Sequence, residues 1–131
     1  MKLIVQIPAF NESKKIAEVI KRIPRKIDGI DKIEVLVMDD HSSDNTKEVS
    51  KKAGADYIFR HKQNVGLGRN FKKGIETALK LKADIIVNID ADGQFNPEDI
   101  PVLIKPILDE EADMVTCSRF LNEKLTKNMP W

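Results

Sequence analysis

Cysteine is almost missing from this 131-residue chain. Cys117 is the only one, so no disulfide can form within the chain, and a reducing, cytoplasmic setting is expected. Charge of one sign is also missing. Lysine and arginine number 22 against 21 aspartates and glutamates, a formal net charge of +1, and so small a field gives no reason to expect a nucleic-acid partner. No apolar run approaches the roughly 20 residues that a membrane-crossing helix needs. The opening Met1-Lys2-Leu3-Ile4-Val5 lacks the layout of a secretory signal. Peripheral contact with the cytoplasmic face of a membrane stays open. Repeats, low-complexity tracts and linkers are absent as well. What is present, 41% hydrophobic and 33% charged residues, is the mixture of a soluble globular protein. The length suits one domain, which hides roughly two-thirds of its unfolded surface.

Short apolar runs alternate with helical periodicity. Leu3 to Ile7 is apolar nearly throughout and stops at Pro8, as a strand buried on both faces would. From Ser13 to Ile23, the apolar residues Ile16, Val19, Ile20 and Ile23 keep the spacing of one helix face. Ile33 to Met38 predicts a second strand. Ser42, Ser43 and Asp44 offer caps for a helix that closes near Gly54. Asp56 to Arg60 predicts a third strand. Asn64 to Gly68 predicts a turn before a helix bearing Phe71, Ile75, Ala78 and Leu79. Asp84 to Ile89 predicts a fourth strand. Pro97 opens a helix to about Glu111, which Pro106 should kink or split, and Met114 to Cys117 predicts a fifth strand with Cys117 in the core. The expected fold is α/β, a mostly parallel, doubly wound sheet in three Rossmann-like layers. One domain is expected over residues 1–121. Residues 122–131 are polar and aperiodic, like a loop cut off before its next element.

In such sheets, ligands bind beyond the carboxyl ends of the strands. The first strand runs into Pro8-Ala9-Phe10-Asn11-Glu12, the second into Asp39-Asp40-His41-Ser42, and the fourth into Asp90-Ala91-Asp92-Gly93-Gln94. Carboxylates crowded at one edge repel one another unless a cation or donor joins them. On an extended segment Asp90 and Asp92 would point the same way, about 7 Å apart at their Cα atoms, and could share a hard cation, with Gln94 adding a neutral oxygen. Each piece alone has a plainer explanation. An isolated Asp-x-Asp-Gly is more often a turn, Asp39 or Asp40 would cap a helix, and Glu12 would answer a helix dipole. An EF-hand fits poorly, because that loop needs a third acidic or amide ligand and a glutamate at its twelfth position, where this chain has Pro101. His41 and His61 read as solvent-side residues with no role.

Taken in order, these segments resemble family 2 glycosyltransferases, especially the dolichyl-phosphate mannosyltransferase-like branch with its GT-A fold. Val37 to Asp44, Asn64 to Gly68, Pro97-Glu98-Asp99, Ser118-Arg119-Phe120 and Met129-Pro130 also match the family's order. The resemblance implies a nucleotide sugar, GDP-mannose or UDP-glucose in type, held with Mg2+ or Mn2+. It places Pro8, Phe10 and Glu12 around the nucleoside, Phe10 standing where the family usually has tyrosine. It places Val37 and Asp39 at base and ribose with Asp40 nearby. Asp90, Asp92 and Gln94 would hold the metal, and Ala91 would touch the nucleotide by its backbone. Arg119 would reach the diphosphate or acceptor phosphate and, with Asp92, is the expected catalytic residue. A polyprenyl phosphate or a glycan is the implied acceptor. Family members continue well past Trp131, so the alternative is a donor-binding module without turnover, and an exposed sheet edge would favour a homo-oligomer. A receiver-like signalling domain fits poorly, because its acidic pair follows the first strand. A sugar-phosphate nucleotidyltransferase fits poorly too, because it needs a basic, glycine-rich loop after that strand.

Overall fold

The computed structural model describes residues 1–118. Arg119, Phe120, Met129, Pro130 and the expected segment 122–131 lie outside the described residues. The chain divides into two compact units, Met1–Ile100 and the residues from Pro101 on.

The first unit is a parallel sheet wrapped by helices. In chain order its elements are β1 (Lys2–Ala9), α1 (Ile16–Arg22), β2 (Lys32–Asp39), α2 (Thr46–Ala53), β3 (Tyr57–Arg60), α3 (Leu67–Lys80), β4 (Ile85–Asn88) and a 3-10 turn (Pro97–Asp99). The sheet order is β3-β2-β1-β4, and all pairings are parallel. The chain steps outward from β1 to β2 to β3, then crosses back to place β4 on the far side of β1. Right-handed crossovers carry these two directions over opposite faces of the sheet, which makes the fold doubly wound.

Sequence parity assigns each side chain to a face. Ile4, Leu36 and Met38 lie on one face. They pack with Ala78 of α3 and with Tyr57, Phe59 and Ile86. Leu3, Val5, Ile7, Val35 and Val37 fill the other face, where the outward crossovers run and where α1 buries Ile16, Val19 and Ile20. Both central strands are therefore buried beyond their first residue, as their continuous apolar runs predict. Gly54 ends α2 with φ +105, as expected.

Pro8 lies inside β1 rather than ending it. Ile89 N–H donates to the Gln6 carbonyl, so Gln6 faces β4, and two residues later Pro8 faces the same way. By then β4 has left the ladder, whose last register pair is Gln6 with Asn88. The missing proline N–H therefore goes unmissed, and β1 and β4 part at that point.

Of the four apolar residues expected on α3, only Ala78 is fully buried. Asn70, Gly74 and Ala78 face the sheet, whereas Phe71 and Leu79 are 41% and 57% exposed. The cause is steric. A Cβ on Gly74 would stand 2.1 Å from Oε1 of the buried Gln6, so only the small residues let the helix sit this close.

In the second unit α4 (Ile100–Leu108) is shorter than expected, and the 3-10 turn precedes it. Pro106 sits in its last turn without splitting it, at the loss of the one backbone bond that its N–H would have made. Met114 to Cys117 is not a strand. No ladder includes it, Met114 is 78% exposed, and Cys117 is exposed rather than core. Apolar residues make a strand only where an edge accepts their backbone bonds. No helix of the described residues is long and apolar enough to cross a membrane.

Candidate functional site

Where β1 and β4 part, a cleft of about 510 Å³ opens. It is lined by Pro8, Ala9, Phe10 and Glu12 after β1, by Asp40 after β2, by Asn64, Gly66, Leu67 and Asn70 at the start of α3, and by Asp90, Ala91 and Asp92 after β4. Its volume falls within the range of small-molecule sites, and it lies at the sheet's topological switch point. Seven of the residues singled out in the sequence meet there: Pro8, Phe10, Glu12, Asp40, Asp90, Ala91 and Asp92. Val37, Asp39 and Gln94 do not line the cleft, and Arg119 lies outside the described residues.

A latch that the sequence did not reveal sets the position of the first loop. Asn11 takes φ +53, a conformation asparagine tolerates better than most residues. Its Oδ1 accepts from Ser43 N at 2.8 Å, while its own N–H donates to Ser42 Oγ at 2.9 Å. Glu12 N donates to Thr46 Oγ1 at 3.0 Å, and Ser13 N donates to Asp44 Oδ2 at 3.2 Å. The loops after β1 and β2 are thus sewn together, and Phe10, half exposed, is held on the cleft wall. Burial pushes the Asp44 carboxyl up, but the hydrogen bonds from Thr46 and Ser13 outweigh it and hold the carboxyl below its ordinary range.

The two aspartates after β2 do different work. Asp39 is fully buried. Its Oδ1 accepts from Ser42 N at 3.0 Å and Ser42 Oγ at 2.6 Å, and its Oδ2 accepts from Arg60 Nη1 at 2.7 Å. Asp39 and Arg60 are register partners across β2 and β3, so a buried charge meets its counterion in the ladder itself. Asp40 caps the approach to α3 rather than the start of α2. Its two oxygens accept from Val65 N at 2.8 Å and Gly66 N at 2.9 Å. Gly66 needs its freedom here, at φ +87. The N-terminus of α3, the positive end of its dipole, is thereby fixed at the cleft.

His61 is a further correction. It is half-buried, and its Nε2 stands 2.8 Å from Asn70 Oδ1. Asn70 Nδ2 donates to the Met38 carbonyl, so Oδ1 is left to accept and His61 carries the proton on Nε2. Neither residue had a role from the sequence, because the bond joins a strand end to the buried face of a helix.

Asp90 is exposed on the cleft, and Ala91 and Asp92 form a turn rather than the extended segment expected. Gln94 N donates to Asp92 Oδ1 at 2.9 Å, and Gly93 takes φ +80. The glycine-bearing turn curls the segment back on its own carboxylate. Among the described residues, no three His, Cys, Asp or Glu side chains are grouped to hold a metal. Of the four carboxylates that line the cleft, Asp40 is engaged by Val65 and Gly66, and Asp90 and Asp92 follow one strand as a pair of hard donors. That suits a cation such as Mg2+ or Mn2+, which takes one or two carboxylates and completes its shell with water and substrate phosphate.

Known proteins resemble this chain in sequence and in fold. The chain is 34% identical to a Methanococcus voltae UDP-N-acetylglucosamine–dolichyl-phosphate N-acetylglucosaminyltransferase over 95% of its own length and 54% of the relative's. It is 32% identical to a Pyrococcus furiosus dolichol-phosphate mannosyltransferase over 100% of its length and 37% of the relative's. The crystal structure of glucosyl-3-phosphoglycerate synthase from Mycobacterium tuberculosis, in complex with Mn2+, UDP-glucose and phosphoglyceric acid, superposes with a TM-score of 0.68. That match has 29% identity and covers 84% of this chain and 40% of that one. The chain spans about half the length of the first curated relatives it matches. The sheet topology is that of the GT-A fold. The glycosyl transferase family 2 model matches residues 4–131, and the chain belongs to that family.

Proposed function

We propose that residues 1–121 form the donor-binding half of a metal-dependent, inverting hexosyltransferase that takes a nucleoside-diphosphate sugar. One observation carries this reading: a single cleft at the switch point holds both an exposed aromatic face, Phe10, and the acid pair Asp90 and Asp92. The base stacks on Phe10, bordered by Pro8 and Glu12. Val37 and Asp39 act from behind, Asp39 by holding Ser42 and through it Asn11. The diphosphate lies between the positive end of α3 and the Asp90–Asp92 turn, with the Ala91 backbone beside it. Asp90 and Asp92, with Gln94 as a further oxygen donor, hold Mg2+ or Mn2+. The metal supplies neutralisation of the charge that grows on the departing diphosphate. The family resemblance assigns the diphosphate a further contact, Arg119, which lies outside the described residues. One of the similar proteins above has a uridine donor in its name and another is in complex with UDP-glucose, which favours a UDP-linked sugar over a GDP-linked one. The dolichyl-phosphate acceptors in two of those names favour a polyprenyl phosphate here. Such an acceptor is already anionic at neutral pH and needs little help from a base.

Calorimetric titration tests the reading. UDP, GDP and their sugar conjugates are titrated with and without Mn2+ into the wild type and Asp92→Ala. The expected result is Mn2+-dependent binding of the uridine nucleotide, lost in Asp92→Ala. Preference for GDP would reassign the base. A folded wild type that binds neither nucleotide would sink the proposal.

A further inference from the structure

We infer that Arg22, at the end of α1, is a positioning residue for the Asp92 turn and so tunes metal affinity without touching the metal; this rests on the metal site proposed above. The turn from Ala91 to Asn96 has no regular structure of its own. Behind it lies a second cavity of about 240 Å³, lined by Lys15, Glu18, Val19 and Arg22 of the α1 region and by Asp92, Gly93 and Pro97. A turn with a void at its back is placed by whatever braces its two sides. On one side Val19 of α1 and Gly93 line the same cavity. On the other side Arg22 Nη2 donates to Asn96 Oδ1 at 2.8 Å. That oxygen also accepts from Glu98 N at 3.1 Å, and Asp99 N donates to the Asn96 carbonyl at 3.0 Å. Arg22 Nε stands 3.7 Å from Glu98 Oε1, so the guanidinium spans both residues. Asn96 is thus the knot between α1, the 3-10 turn and the segment carrying Asp92. Groups that orient a metal ligand from behind typically matter to metal affinity by a factor of ten or more.

Charge and bracing predict opposite signs for Arg22. A cation near a metal site weakens metal binding, so deleting the charge alone would tighten it. Deleting a brace loosens the turn and weakens binding.

The test compares wild type, Arg22→Ala and Arg22→Lys by hydrogen exchange and by Mn2+ titration in the presence of UDP. The Arg22 side chain is 38% exposed, so the variants should fold. In Arg22→Ala, exchange should quicken about fivefold at the amides of residues 92–99 alone. The Mn2+ concentration for half-saturation should rise roughly tenfold, while metal-free UDP affinity and Tm stay put. Arg22→Lys, which keeps one donor, should recover part of both effects. Unchanged exchange in residues 92–99, or tighter Mn2+ binding in Arg22→Ala, overturns the inference. A wild type without Mn2+-dependent UDP binding overturns the metal site and with it the tuning of affinity; the exchange result still decides the brace.

Discussion

Asn11 concentrates more of the site's order than any residue with a charge. Its side chain ties the loop that carries Phe10 to the start of the next loop, and its backbone occupies a left-handed conformation. Asn11→Ala removes the Oδ1 bonds and sets at φ +53 a residue that tolerates the left-handed region less well than asparagine does. We expect a loss of about 2 kcal/mol in urea unfolding, with weaker nucleotide binding measured by calorimetry. Asn11→Gly keeps the backbone and should lose less. A second expectation concerns acid. Burial pushes the Asp44 and Glu34 carboxyls up, but hydrogen bonds, from Thr46 and Ser13 to Asp44 and from Lys2 and Lys32 to Glu34, win and leave both below their ordinary values of 3.8 and 4.5. The unfolded chain then binds these protons more readily than the folded one. The stability the two groups contribute is complete above about pH 4.5 and drains as pH falls through their folded values. Urea midpoints measured from pH 6 to pH 2 should show the fall, and Asp44→Asn or Glu34→Gln should flatten it. Little of this was legible in the sequence. Phe10, Glu12, Asp90 and Asp92 stand in motif positions, but the latch bonds join residues 31 to 34 apart, and no local pattern encodes such pairs.

Elements were legible where burial is two-sided. β1 and β2 read as strands because burial on both faces calls for a nearly continuous apolar run, which Gln6 and Glu34 each interrupt by one residue. α3 shows where periodicity misleads. Its apolar residues Phe71, Ile75 and Leu79 mark one arc, yet the helix seats on Asn70, Gly74 and Ala78, because close approach rather than hydrophobicity decides the contact. Gln6 is the counterpart. Its Nε2 donates to Asn88 Oδ1 at 2.9 Å, and its Oε1 lies under Gly74 with no hydrogen-bond partner. Gly74→Ala should therefore destabilise by about 2 kcal/mol in chemical denaturation, although alanine is the better helix former. Gln6→Ala should cost less alone, and the double variant should recover part of the loss in Gly74→Ala. Additive losses would show that the two side chains do not compete for one space. The failed fifth strand has the opposite lesson. Met114 to Cys117 is apolar enough, but strand formation depends on a partner edge that composition cannot report.

At the scale of the molecule, the cleft follows from topology: one strand order reverses beside β1, and the loops of four segments converge there. A ligand that binds only this folded arrangement must stabilise it. UDP with Mn2+ at a hundred times its Kd should add about 2.7 kcal/mol to unfolding at 25 °C and raise Tm in a thermal scan. Either component alone should do much less, and Asp90→Ala should abolish the joint effect. The same strand order has a consequence in time. β1 is first in the chain but central in the sheet, and its partner β4 lies 82 residues downstream, as in the pairing of Gln6 with Asn88. During synthesis β2 can zip onto one side of β1 early, while the other side waits for residues 85–88. At ribosomal speeds of about 5–20 residues per second, that wait lasts roughly 2–10 s. Through those seconds a largely apolar strand of the nascent chain offers an open row of backbone donors and acceptors, bare to any neighbouring strand and to the chaperones that shield such edges.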